Sequence, residues 1–124
     1  MTLSRSDIAA RRRDFAQLHA AGCFVLPNPW DLGSLRRLEA LGFQALATTS
    51  AGLAWSLGCQ DYELTLPQVL DHLRLMATAT HLPLSADFEG AFAAAPEDVA
   101  RNVAHAADTG VAGLSVEDRT GDGL

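Results

Sequence analysis

The chain has 124 residues, a hydrophobic fraction of 48% and a formal net charge of −6. That suits one small globular domain with a modest core and is too apolar for a disordered chain. All nine basic residues are arginine, the two cysteines make no disulfide framework, and no apolar run approaches the ~20 residues of a membrane span. Nucleic acid and membrane are therefore set aside as partners, no secretory signal is evident, and a cytoplasmic location is the default expectation.

In chain order, residues 4 to 21 predict a helix capped by Ser6 or Ser4, with Ile8, Phe15 and Leu18 recurring at near-helical spacing. Arg11, Arg12 and Arg13 read as a solvated face of it. Gly22 is its stop. Cys23 to Leu26 predicts a short buried strand running into the stiff loop Pro27-Asn28-Pro29-Trp30-Asp31. A second helix is expected over 33–41 and a second strand over 43–48, followed by the small-residue loop Thr49-Ser50-Ala51-Gly52-Leu53. The next helix spans 65–79, with Thr65 as cap and Pro67 in the first turn, where proline is tolerated. The central strand spans 82–88. A further helix opens at Pro96-Glu97-Asp98 and runs to about Asp108, its acids complementing the helix dipole. The last strand spans 111–116, with Glu117 and Asp118 at its end.

Strict alternation of strand and helix implies a parallel sheet with right-handed crossovers. Every predicted strand ends in polar or small residues: Asn28 and Asp31, Ser50 and Gly52, Asp87 and Glu89, Glu117 and Asp118. Strands feeding one polar rim are the mark of an α/β (β/α)8 TIM-barrel type fold, here its first four βα units. A whole barrel needs roughly 200 residues or more, so a flavodoxin-like open sheet is the structural alternative. Asp87 and Glu89 alternate along one strand face, where two carboxylates repel unless a cation or a proton lies between them. Solvated loop acids are the plainer reading of the same pair. His19, His72, His81 and His105 fall on helices or helix ends, away from the rim, with no metal-ligand spacing. Trp30 reads as a packing residue.

Four motifs carry a resemblance. Gly22-Cys23-Phe24-Val25-Leu26-Pro27-Asn28-Pro29-Trp30-Asp31, Ala47-Thr48-Thr49-Ser50-Ala51-Gly52, Ser85-Ala86-Asp87-Phe88-Glu89-Gly90 and Gly113-Leu114-Ser115-Val116-Glu117-Asp118 resemble the isocitrate lyase/phosphoenolpyruvate mutase family. The likeness runs over residues 1–124 as one domain, the N-terminal half of that family's barrel. It implies a bound Mg²⁺, with Mn²⁺ as the alternative, and an enzyme that makes or breaks a C–C or C–P bond beside the carboxylate of a small 2-oxo acid or phosphonate. The resemblance further implies a reaction that runs through a pyruvate enolate. It also implies a homo-oligomer, a tetramer in the family, at full length.

By the same resemblance Asp87, Glu89 and Glu117 are the metal-site residues. Ser50, Gly52 and Leu53 form the substrate-carboxylate loop, where small residues let backbone N–H groups approach an anion. Asp61 is the catalytic aspartate that organises the metal's waters, with a turn former before Tyr62 as the equal alternative. Many members carry Asp-Ala-Asp where this chain has Ser85-Ala86-Asp87, and Glu89 is the candidate to replace the missing carboxylate. The lyase branch's cysteine motif is not found at Cys23 or Cys59, which points to the mutase, phosphonopyruvate hydrolase and oxaloacetate-cleaving branches. A catalytically incomplete fragment of such an enzyme and a small flavodoxin-like binding domain are the competing readings.

Overall fold

The computed structural model describes residues 3–119; residues 1–2 and 120–124 of the expected domain lie outside them. The elements run α1 (Arg5–Leu18), α2 (Leu32–Ala40), β1 (Leu46–Ala47), α3 (Ser50–Ser56), α4 (Leu66–Ala79), β2 (Leu84–Asp87), α5 (Pro96–Ala107) and β3 (Gly113–Ser115). The strands form one parallel sheet in consecutive order, β1-β2-β3. Leu46 pairs with Leu84, and Ser85, Ala86 and Asp87 pair with Gly113, Leu114 and Ser115. Consecutive order has no switch point, which removes the basis of the flavodoxin-like alternative.

Of the four expected strands, Cys23–Leu26 forms no ladder among the described residues. Prolines explain this. Pro27 and Pro29 follow directly and have no N–H to donate, so the segment contributes a single sheet-like bond, from Ala47 N–H to the Pro27 carbonyl at 3.0 Å. Pro83 likewise delays the central strand, so that β2 starts at Leu84.

Helix ends follow their capping chemistry. Ser4 caps α1 in a reciprocal box with Asp7, and Asp31 caps α2 by accepting from Ser34 N–H at 2.7 Å. Asp31 is therefore committed to a helix end, although its place after the first predicted strand suggested a rim group. The core is built from Leu35, Leu46, Leu73, Met76, Leu84 and Phe88, all fully buried. α4 is its hub and touches α2, α5 and β2.

The arginine face of α1 is not simply solvated. Arg11 is buried and donates to the Ala77 carbonyl at 2.8 Å, at the end of α4. Arg12 donates to the Ala107 and Val111 carbonyls at 2.7 and 3.2 Å. Both guanidinium groups thus serve helix C-termini, where carbonyls lack internal partners and cations are favoured. Gly113 admits α1 closely, since a Cβ there would lie 2.5 Å from the Phe15 ring.

An open three-stranded parallel sheet of consecutive strands has two outer edges. Pro27 touches one; β3 forms the other among the described residues. Unpaired edges and exposed apolar side chains such as Val25 and Val116 template further pairing. The 124-residue chain is therefore expected to self-associate. Light scattering checks this, and a monodisperse monomer with a sharp thermal transition would count against it.

Candidate functional site

The site forms where β2 ends. Asp87 is the last residue of β2, and its neighbour across the sheet is Ser115 of β3. Its backbone N–H donates to Thr48 Oγ1 at 3.0 Å, which ties it to the end of β1. Its carboxylate accepts the Ser50 N–H at 3.0 Å, so Asp87 also anchors the start of α3.

After Phe88 the chain turns sharply. Glu89, Ala91 and Phe92 all take left-handed backbone angles, with φ of 49°, 57° and 57°. Side chains rarely adopt this region, so the neighbours must hold the turn in place. Glu117 N–H donates to the Glu89 carbonyl at 2.8 Å, and the buried Asn102 side chain on α5 donates to the Ala91 carbonyl at 2.8 Å. The result places Glu89 with only 4% of its surface exposed. Burial, reinforced by the charges of Asp61, Asp87 and Glu117, pushes its carboxyl up to about 7. Four acids from three loops thus share one region.

Glu117 is exposed and accepts a hydrogen bond from the Tyr62 hydroxyl. Tyr62 has φ of 69° and carries the Arg119 guanidinium over its ring at 4.3 Å. The hydrogen bond to Glu117 raises the Tyr62 hydroxyl to about 12. Arg119 therefore stacks on the tyrosine that binds Glu117. Asp61 accepts the Tyr62 N–H at 3.1 Å, so it shapes the turn while its charge reaches Glu89.

The small-residue segment is not a loop. Thr49 caps a seven-residue helix, α3, by accepting the Gly52 N–H at 3.2 Å. Burial of Leu53 and Ala54 in the core stabilises this helix, an influence local composition does not reveal. The N–H groups of the expected anion nest have partners within the chain. The Ser50 N–H binds Asp87, the Gly52 N–H binds Thr49, and the Leu53 N–H closes the first turn on the Thr49 carbonyl. Leu53 turns its side chain inward. On the outer side of this turn, Asn28, Trp30, Thr49, Gly52, Trp55 and Ser56 line an open groove of about 550 Å³. Trp30, expected to pack, is 47% exposed there.

Among the described residues no group of three or more His, Cys, Asp or Glu side chains is placed to hold one metal ion. The structure thus brings Asp87, Glu89 and Glu117 into one region without forming the expected three-carboxylate ligand set. The reason is visible in their partners: Asp87 is turned to α3, Glu117 to Tyr62, and Glu89 is folded beneath.

One residue was missed. His72, expected away from the rim, lines a small, partly open cavity together with Ser50, Asp87 and Glu89. Its position on α4, three residues after Val69 and four before Met76, lies within the buried stripe. That spacing was the available signal.

The phosphoenolpyruvate phosphomutase family model matches residues 15–123. The chain belongs to the isocitrate lyase/phosphoenolpyruvate mutase family. A Burkholderia cenocepacia J2315 protein, provisionally called a lyase/mutase, has a crystal structure that matches at TM-score 0.90 and 45% identity, over 93% of this chain and 42% of that one. Oxaloacetate acetylhydrolase, solved with its product oxalate, matches at TM-score 0.79 and 31% identity, over 88% of this chain and 39% of that one. The probable 2-methylisocitrate lyase 1 of Corynebacterium glutamicum is 34% identical over 115 residues, which is 91% of this chain and 37% of that protein. The chain spans about two fifths of the length of the curated relatives it matches, 42% of the first of them. Its α/β fold is like that of this superfamily, and family members are lyases and mutases. Ser85, where the resemblance leads one to expect an aspartate, is buried inside β2.

Proposed function

We propose that the protein, at its natural length, is a Mg²⁺-dependent lyase or mutase that makes or breaks a C–C or C–P bond beside the carboxylate of a small 2-oxo acid. The observation that carries this reading is the buried Glu89, pushed up to about 7 by its burial and by Asp61, Asp87 and Glu117. An acid cluster of this kind is relieved by a cation.

The donor set fits Mg²⁺. Every candidate ligand is an oxygen, and Mg²⁺ commonly binds through one or two carboxylates while keeping several waters, so a three-ligand cage is not required. Asp87 and Glu117 would hold it, with Glu89 beneath and Asp61 ordering its waters. A bound Mg²⁺ would supply Lewis-acid stabilisation of the negative charge that grows on the 2-oxo oxygen.

The chain's own groups do the rest. Ser50, on the first turn of α3, is the proposed contact for the substrate carboxylate through its hydroxyl, Gly52 beside it leaves room for a close approach, and Leu53 shapes the floor below them. The groove beside Trp30 and Trp55 gives a small acid its approach. Oxaloacetate cleavage and phosphonopyruvate chemistry are the favoured branches, since a structural neighbour, oxaloacetate acetylhydrolase, carries oxalate.

The test is turnover of oxaloacetate and of phosphonopyruvate by the full-length protein, with Mg²⁺ and with EDTA. Activity on one of them that disappears with chelator and returns with Mg²⁺ or Mn²⁺ is the expected result. Activity untouched by EDTA removes the metal from the reading.

A further inference from the structure

α4 carries a polar side chain into the interior. His72 Nε2 is buried with no hydrogen-bond partner among the described residues. A buried polar group left unpaired costs about 1–3 kcal/mol, and native structures nearly always supply a partner. Beside the ring lies a small, partly open cavity of about 10 Å³. Thr48, Ser50, Asp87 and Glu89 give it polar walls, while Leu53 and Leu73 close it with apolar ones. Its volume suits about one water, which needs two to four polar partners to bind. Asp31, the cap of α2, also acts on the ring through its charge.

We propose that His72 Nε2 and the Asp87–Glu89 pair hold one ordered water between them, which makes His72 a positioning residue for those two carboxylates. The water donates to a carboxylate oxygen and meets Nε2 in whichever tautomer the ring adopts. It fixes the direction in which Glu89 and Asp87 point, as outer-shell partners do for acids that work in a site. The functional part of this inference rests on the reading of Asp87 and Glu89 as working acids. The water itself does not.

The experiment is a crystal structure fine enough to place waters, with kcat and KM, for the full-length wild type, His72→Gln and His72→Leu. The wild type should show a water within about 3.2 Å of both Nε2 and a carboxylate oxygen of Asp87 or Glu89. His72→Gln should keep it. His72→Leu should lose it, turn the Glu89 carboxylate away, and lower kcat about tenfold with KM nearly unchanged, while the Gln variant stays within about threefold of wild type. A merely structural histidine gives the opposite pattern: Leu fits the apolar walls, raises the melting temperature and leaves kcat alone. No water in the wild type, an unmoved Glu89 in His72→Leu, or a wild-type kcat in that variant overturns the proposal. If the wild type turns over neither substrate, the reading of the acids fails. The water and the Glu89 position still decide the inference.

Discussion

Asp87→Ala is expected to abolish turnover in the full-length protein, by roughly 10³-fold or more, as losing a group that stabilises developing charge does. Asp87 is the proposed metal ligand with the most fixed geometry, tied to β1 through Thr48 and to α3 through the Ser50 N–H. That second bond makes the substitution more than a catalytic knock-out. Alanine leaves the partly buried Ser50 N–H without its acceptor, which costs about 1–3 kcal/mol. Asp87→Asn keeps an acceptor for Ser50 but removes the ligand's negative charge, so it should recover most of the stability and little of the activity. Urea denaturation beside the two turnover assays separates the effects. Glu117→Ala should also abolish activity, but with almost no loss of stability, because Glu117 is exposed and bonded to Tyr62 alone among side chains of the described residues. Glu89→Ala should reduce activity less. If Asp87→Ala retains activity in EDTA, the metal reading is wrong and the family membership describes only the fold.

The parts of this molecule that chain-local chemistry controls are legible in its sequence. Thr65 and Ser4 start helices because they do so wherever a helical stripe follows them, and Pro67 and Pro96 sit in first turns for the same reason. The two motif ends that carry Asp87 with Glu89, and Glu117, were visible as acids at strand termini. What stayed hidden depends on contacts distant in sequence. Thr49-Ser50-Ala51-Gly52 has the composition of a connector, and it becomes a helix because Leu53 and Ala54 find the core and Asp87 receives the Ser50 N–H. The burial of Glu89 follows from three left-handed residues held by Asn102 and Glu117, which no periodicity encodes. Cys23–Leu26 is apolar enough for a strand, yet the prolines after it deny the ladder its donors.

Glu89→Gln is expected to stabilise the metal-free protein above neutral pH and to leave it unchanged in acid. The folded protein holds a proton on Glu89 up to about pH 7, whereas the unfolded carboxyl gives its proton up near its ordinary 4.5. Between those values the native state binds one proton more than the unfolded state. Its stability from this group is therefore fully present below 4.5 and is lost as pH rises to about 7, with no further change beyond. Glutamine mimics the neutral form at every pH. The variant should match wild type at about pH 4 and exceed it by roughly 1–2 kcal/mol at about pH 8, a figure discounted for solvent near the rim. His72 works against this trend. Its burial holds it below its ordinary 6.5, so it adds stability as pH rises toward that value. Only the difference between wild type and Glu89→Gln, measured across the pH range, isolates the carboxyl. Mg²⁺ supplies the second control. A cation beside Glu89 favours its ionised form, so adding Mg²⁺ should stabilise the wild type more than the variant at about pH 8 and shrink the gap between them. A gap of the same size at both pH values, or one that Mg²⁺ leaves untouched, would show that Glu89 is neither strained by its neighbouring acids nor part of a cation site.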